Sequence, residues 1–208
     1  MSEPRSTLNR AAAAAGVTIR IEDRGPVGQV TLRGDLGSDA LRAAVKAGVG
    51  VDVPGSLRAA FDGDKGAVWM SPDELLLFTA YDQAEALAAE LGAALAGEHH
   101  LAVNVSDARA VIALSGAGVA EVLAKGAPVD LSDAAFPAGT ARRTHIGGIA
   151  VGFWRKAEHE WEIVCLSSFA GYLFDWLVES SVEGSEVGGL SHIDLCSIKQ
   201  CVNKIQND

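Results

Sequence analysis

An order of short elements that occurs twice restricts this chain more than any single motif in it. Val17, Ile19 and Ile21 alternate, a turn signal follows at Asp23-Arg24-Gly25-Pro26, and Val30 and Leu32 resume the alternation, which reads as a strand pair. A helix is predicted behind Ser38, with Leu41, Ala44 and Val45 on one face and Gly48 to end it. After an irregular stretch through Pro54 and Gly55 come two short strands, 67–70 and 75–79, turned around Ser71-Pro72-Asp73-Glu74. Asp82 and Glu85 have capping-box spacing and open a helix carrying Leu87, Leu91 and Leu95. The order then recurs. A second strand pair, 101–106 and 110–114, turns at Asp107-Ala108-Arg109, and Ser115 is the expected cap of a helix with Val119, Val122 and Leu123 inward. A connector with Pro128, Pro137 and Gly139 leads to strands near 143–154 and 161–166, and Ser168 opens the last helix.

The two cycles are offset by roughly 80 to 85 residues, the spacing of a duplicated unit. A few identities fall in register: Gly34 with Gly116, Val51-Asp52 with Val129-Asp130, and Trp69 with Trp154. The expected fold class is α+β, with two related units of small antiparallel sheets and packed helices. A doubly wound parallel sheet is excluded because strands arrive in adjacent pairs. The organisation reads as a flexible N-terminus over 1–16, a first unit over 17–98, a second over 99–180 and a divergent tail over 181–208. The tail has no alanine in a chain otherwise rich in it, holds two of the three cysteines and begins Gly-rich, so it is expected to be dispensable.

Charge narrows the function. Lys and Arg number 17 against 27 Asp and Glu, a net charge of −10, which opposes nucleic acid and anionic lipid as partners. No cluster of Lys or Arg is expected to form a local exception. No stretch reaches the 18 or so apolar residues of a spanning helix. The start, with Glu3 and the short 11–15 alanine run, does not read as a secretory signal. Three cysteines, Cys165, Cys196 and Cys201, indicate no disulfide framework, and a cytoplasmic setting is expected.

Each candidate for chemistry has a structural reading that outweighs it. Gly116-Ala117-Gly118-Val119-Ala120-Glu121 follows a strand and opens a helix, as a dinucleotide turn does, but Glu121 replaces the third glycine. His192, Cys196 and Cys201 come nearest to a metal set and lack its spacing. His99 and His100 lie between the units, His145 in a strand and His159 in a turn. Cys165 sits inside an apolar strand, and no nucleophile elbow is present. Asp73-Glu74, and Asp130 with Asp133, read as turn carboxylates. No catalytic, cofactor-binding or metal-binding residue is assigned.

Several segments carry a family resemblance: 111–116 (VIALSG), 122–126 (VLAKG), 129–131 (VDL), 135–142 (AFPAGTAR), 168–173 (SFAGYL) and, upstream, 68–75 (VWMSPDEL). Through them the chain resembles the gamma subunit of heterotetrameric sarcosine oxidase, and more distantly the aminomethyltransferase (T-protein) of glycine cleavage. The resemblance implies a T-protein-like fold in an enzyme that oxidatively demethylates sarcosine to glycine, with hydrogen peroxide and formaldehyde or methylene-tetrahydrofolate as products. It places FAD, FMN, NAD and zinc on other subunits, and makes the alpha, beta and delta subunits the partners of a structural chain. The folate-binding relatives carry acidic residues after a Gly-Gly segment, whereas 144–154 (THIGGIAVGFW) has none. A Lys-Gly-Cys motif of other relatives is here Lys125-Gly126-Ala127. The alternative is a stand-alone folate-binding protein or one-carbon transferase, with its acid supplied by Asp107 or Asp130.

Around the last helix, counted at about 100° per residue from Phe169, Tyr172, Leu173, Trp176 and Leu177 make a core stripe. Phe174 and Val178 fall outside it and are the candidate partner interface.

Overall fold

Alternation tells which residues of a strand face inward, but not which neighbour the strand bonds to. The structure, a computed structural model, describes residues 6, 8, 10–14 and 19–182. Its elements in chain order are β1 (Ala11–Ala14), β2 (Ile19–Asp23), β3 (Gly28–Arg33), α1 (Asp39–Val49), β4 (Ala59–Asp62), β5 (Lys65–Ser71), β6 (Glu74–Thr79) and α2 (Ala84–Ala94). These are followed by β7 (Leu101–Asn104), β8 (Arg109–Ser115), α3 (Val119–Ala124), β9 (Ala141–Ile146), β10 (Ile149–Ala157), β11 (Glu160–Leu166) and α4 (Ala170–Ser180).

Two antiparallel sheets result, in the orders β4-β5-β6-β3-β7 and β9-β10-β11-β8-β2-β1. Strand by strand the first sheet matches the first five strands of the second, so the duplication is present in the topology. It extends to an irregularity, since the β5–β6 pairing shifts between Trp69 and Ser71 and the β10–β11 pairing shifts between Arg155 and Ala157. Aligned on those bulges, Trp69 corresponds to Arg155 and not to Trp154. Trp69 packs on the helix side of its sheet and Trp154 lies between the sheets. The sequence identity of the two tryptophans is therefore one residue out of structural register, and one residue is enough to change faces.

The two expected hairpins at 17–32 and 101–114 do not form. β2 pairs with β8, from Arg20↔Ser115 to Asp23↔Ile112, and β7 pairs with β3, from Arg33↔Leu101 to Val30↔Asn104. Each unit lends its first strand to the sheet of the other. The inward faces are the same in either pairing, which is why alternation could not separate them. Residues 11–14, inside the stretch expected to be flexible, pair with β2 as an edge strand.

Helices cover the outer face of each sheet, giving four layers. Leu41, Val45, Leu87 and Leu91 close on Val30, Leu32, Leu75 and Leu77 of the first sheet. Val119, Val122, Leu173, Phe174 and Leu177 close on Ile112, Leu114, Phe153 and Ile163 of the second. Each such side chain taken from water contributes about 1.5–3 kcal/mol. Between the sheets a third cluster joins Val68, Met70, Leu76 and Phe78 to Val111, Trp154 and Val164.

Helix ends follow the sequence in part. Ser38 accepts the N–H of Leu41 at 3.3 Å, as predicted. Gly48 lies inside α1, where a Cβ would come 2.6 Å from Leu87 Cδ1, and it is Gly50, at φ 80°, that ends the helix. The Asp82/Glu85 capping box and the Ser115 cap are not formed, and no side chain caps α2, α3 or α4. Single 3₁₀ turns, Tyr81–Gln83 and Ser167–Phe169, lead into α2 and α4. The β9–β10 hairpin turns on Gly147 and Gly148, at φ 56° and 86°, the pair of positive angles that a tight two-residue turn demands. Ser181 is fully buried, so the folded body extends past the expected boundary at 180. The remainder of the predicted tail, from 183, including His192, Cys196 and Cys201, lies outside the described residues, as do most of 1–16.

Candidate functional site

Buried charge is what a core made of apolar strands has to justify, and two glutamates enter the layer between the sheets. Glu162 of β11 is 4% exposed and accepts the indole N–H of Trp154 at 3.1 Å. Arg24 Nε and Lys156 Nζ stand 3.4 Å from its other oxygen. Trp154 is held in turn against Phe78 and Phe61, with ring centroids 5.2 and 5.8 Å away. Glu74, the first residue of β6, is 7% exposed and is approached by Arg33, Arg109 and Arg143. Sequence reasoning placed Glu74 in a turn beside Asp73. Only Asp73 is a turn residue: Ser71 Oγ donates to it at 2.5 Å and holds its carboxyl below the usual range. The expectation that no basic cluster exists is corrected here, because the three arginines are far apart in sequence and are brought together by β3, β8 and β9.

The other candidates are accounted for by local structure. Gly116 has φ 123° and its carbonyl accepts Val119 N–H at 3.4 Å, a strand-to-helix turn ahead of a six-residue helix. The cavity beside it, about 260 Å3, is lined by Glu121, Asp133, Glu158 and Arg155. Arg155 is taken up within the chain, donating to Asp133 at 2.6 Å, to Phe136 O at 3.0 Å and to Glu158 O at 2.6 and 3.1 Å. Acidic walls and an occupied guanidinium do not suit a pyrophosphate. His145 is exposed, His100 Nδ1 lies 2.9 Å from Glu98 O, and His159 Nε2 lies 3.7 Å from Glu158. Among the described residues no group of three His, Cys, Asp or Glu is placed to hold a metal. Burial pushes the Cys165 thiol up to about 11, which removes the thiolate that chemistry would need. Asp130 accepts Ser132 N–H at 2.9 Å, which lowers its pKa, and exposed Asp107 accepts the Tyr81 hydroxyl at 2.7 Å.

Lys125-Gly126-Ala127 has a structural role at each position. Lys125 Nζ donates to Ser180 O at 2.6 Å, closing the C-terminus of α4. Gly126 leaves room for Trp176, whose Cη2 would lie 2.6 Å from a Cβ there. Ala127 is buried in the second core.

The interface expectation for α4 is also corrected. Phe174 is 1% exposed and packs in the core of its own chain, and Val178 is half-buried against the same cluster. Phe169 and Tyr172, expected inside, are 47% and 56% exposed. Phe169 belongs to the 3₁₀ turn, so the angle counted from it is misplaced. The buried face runs Ala170, Leu173, Phe174, Leu177, the i, i+3, i+4, i+7 stripe of a surface helix. The Arg10 guanidinium lies over the Phe174 ring, 4.6 Å from its centroid, while pairing with Asp175 at 2.7 Å.

This geometry defines a duplicated α+β protein with strands exchanged between its halves. Residues 33–183 match the sarcosine oxidase, gamma subunit family, and the chain belongs to that family. The sarcosine oxidase subunit gamma of an Arthrobacter species is 34% identical over 157 residues, 76% of this chain and 75% of the relative. That of Corynebacterium sp. strain P-1 is 34% identical over 168 residues, 80% and 81% of the two chains. A chain of the heterotetrameric sarcosine oxidase from Corynebacterium sp. U-96 superposes with a TM-score of 0.74 at 30% identity, covering 84% of this chain and 89% of that one. Aminomethyltransferase T from Bartonella henselae superposes with a TM-score of 0.56 at 17% identity, over 82% of this chain and 47% of that one, a likeness of fold alone.

Proposed function

We propose that the chain is the non-catalytic gamma subunit of a cytoplasmic heterotetrameric sarcosine oxidase, docked on larger alpha and beta chains and accompanied by delta. In this reading FAD, FMN, NAD and zinc sit on those other subunits, and this chain gives shape and contact area. The observation that carries it is the match to one chain of a heterotetrameric sarcosine oxidase over most of both lengths. The described residues add support, since Arg155 and Glu162 are engaged inside the chain and Cys165 is inert. Leu166, Phe169 and Tyr172, exposed large apolar side chains at three-residue spacing around the start of α4, support a docking face there. Co-expression with and without the large subunits tests the reading, with flavin absorbance and sarcosine-dependent peroxide release as readouts. The expected result is activity only in the complex. Peroxide release by the isolated chain would overturn it.

The shared fold with aminomethyltransferase keeps a second reading testable, a stand-alone folate-binding protein. Asp107 and Asp130 are its candidate acids; both are exposed, Asp107 accepting the Tyr81 hydroxyl and Asp130 the Ser132 N–H. Titration with a reduced folate, followed by tryptophan fluorescence, is expected to show no saturable change; tight binding would reverse the order of the two readings.

A further inference from the structure

One carboxylate cannot neutralise three guanidiniums, and at Glu74 none of the three closes to an ordinary hydrogen-bond distance. Arg33 Nε, Arg109 Nη2 and Arg143 Nη1 lie 3.9, 3.7 and 3.7 Å from its oxygens. A charge-assisted N–H···O bond closes to about 2.7–2.9 Å, so what operates at Glu74 is mainly coulombic attraction, any hydrogen bond from Arg109 being long and weak. Arg33 finds a second anion in Asp73 at 3.1 Å. Arg109 has a buried Nη1 with no hydrogen-bond partner. Burial holds the Arg109 guanidinium below its usual pKa, and repulsion from Arg143 adds to this against the pull of Glu74.

Arg109 and Arg143 line the same cavity, of about 180 Å3, whose other walls include Met70, Gly152, Val164 and the exposed Leu166. In a chain of net charge −10 this is a pocket of unbalanced positive charge with apolar sides. A guanidinium fork presents parallel N–H donors to the two oxygens of a carboxylate. The apolar walls suit a short aliphatic body behind it, whereas a phosphate would set charged oxygens against Met70 and Val164 without donors.

We propose that this cavity binds a carboxylate carried on a short aliphatic group, held by Arg109 and Arg143. The carboxylate comes either from a free small monocarboxylate or from an acidic side chain or C-terminus of another subunit, and the second source rests on the gamma-subunit reading above. Two arms separate the sources. In the first, the full chain is titrated with isobutyrate and with isobutanol as the uncharged control, and the amide resonances of Gly152 and Val164 are followed. A free-ligand site gives saturable shifts with isobutyrate alone, weakened about tenfold in Arg143→Gln, the loss expected for one charge-assisted bond. The Arg143 side chain is 58% exposed, so the variant keeps the fold. Ala150→Trp, at an exposed lining position, fills the cavity and abolishes the shifts. In the second arm, wild type and Arg143→Gln are co-expressed with the large subunits. A partner carboxylate gives at least about a tenfold drop in assembled complex for the variant, with wild type assembling normally. If isobutyrate does not bind and the variant assembles like wild type, the proposal is overturned. If wild type itself fails to assemble, the gamma-subunit reading fails and the isobutyrate arm alone decides this one.

Discussion

Phe174 and Tyr172 lie two positions apart on one helix and belong to different surfaces, so their substitutions should separate cleanly. Phe174 is enclosed by the second core, and Phe174→Ala is expected to cost about 3–5 kcal/mol by urea denaturation, the range for emptying a buried aromatic site. Tyr172→Ala, at 56% exposure and with one hydrogen bond to Gly147 O at 3.2 Å, should cost about 1 kcal/mol or less. Phe174→Asp should leave no folded chain, and a folded Phe174→Asp would show that position 174 opens to solvent. Cys165 yields a pH prediction. Its folded pKa is raised from 9.0 to about 11, so between those values the native state retains a proton that the unfolded chain releases. The urea midpoint should therefore fall as pH rises from 9 to 11, by the linkage of proton binding to stability, and be insensitive to this group below pH 9. Cys165→Ala should remove that share of the alkaline loss.

Helix α4 is positioned by two consecutive residues far from it in sequence, Lys125 and Gly126, and can be loosened at either. Lys125→Met removes the cation from the last turn of α4 and should cost about 1 kcal/mol. Gly126→Ala pushes a methyl group into Trp176, which also packs against Gly147, and should cost about 1–3 kcal/mol with a shift in tryptophan emission. An unchanged midpoint in both variants would mean that Ser180 and Trp176 are held by other contacts. Elements of this kind were legible in the sequence to different degrees. The strands at 67–70 and 75–79 and the helix behind Ser38 carry their own period and cap, and all three are present. The stretch holding the strand Ala59–Asp62 reads as irregular, although Gly63-Asp64 is a two-residue turn signal and Gly63 has φ 60° in the hairpin to Lys65. The arginine cluster at Glu74 could not be read at all. Residues 33, 74, 109 and 143 meet through strand pairings that no local pattern encodes.

Across the whole molecule, the strand exchange makes the halves of the duplication one cooperative body. A chain divided between Gly97 and Glu98 yields a first piece lacking β7 and a second lacking β2 and β1. Each piece also exposes its side of the layer between the sheets, Val68, Met70, Leu76 and Phe78 on one and Val111, Trp154 and Val164 on the other. An unpaired edge beside an uncovered apolar face is the condition under which sheets aggregate. Expressed separately, neither piece should give a cooperative thermal transition. Expressed together they should co-purify one to one and melt as a unit, because the missing strands are supplied across the break by the same pairs, Arg20↔Ser115 and Arg33↔Leu101 among them. The opposite outcome is specific as well. Were the first piece to melt cooperatively alone, with native-like circular dichroism, β2 would have closed back on β3 as the hairpin that the alternation of Ile19, Ile21, Val30 and Leu32 also permits. The exchange would then be one of two accessible pairings and not a requirement of the fold.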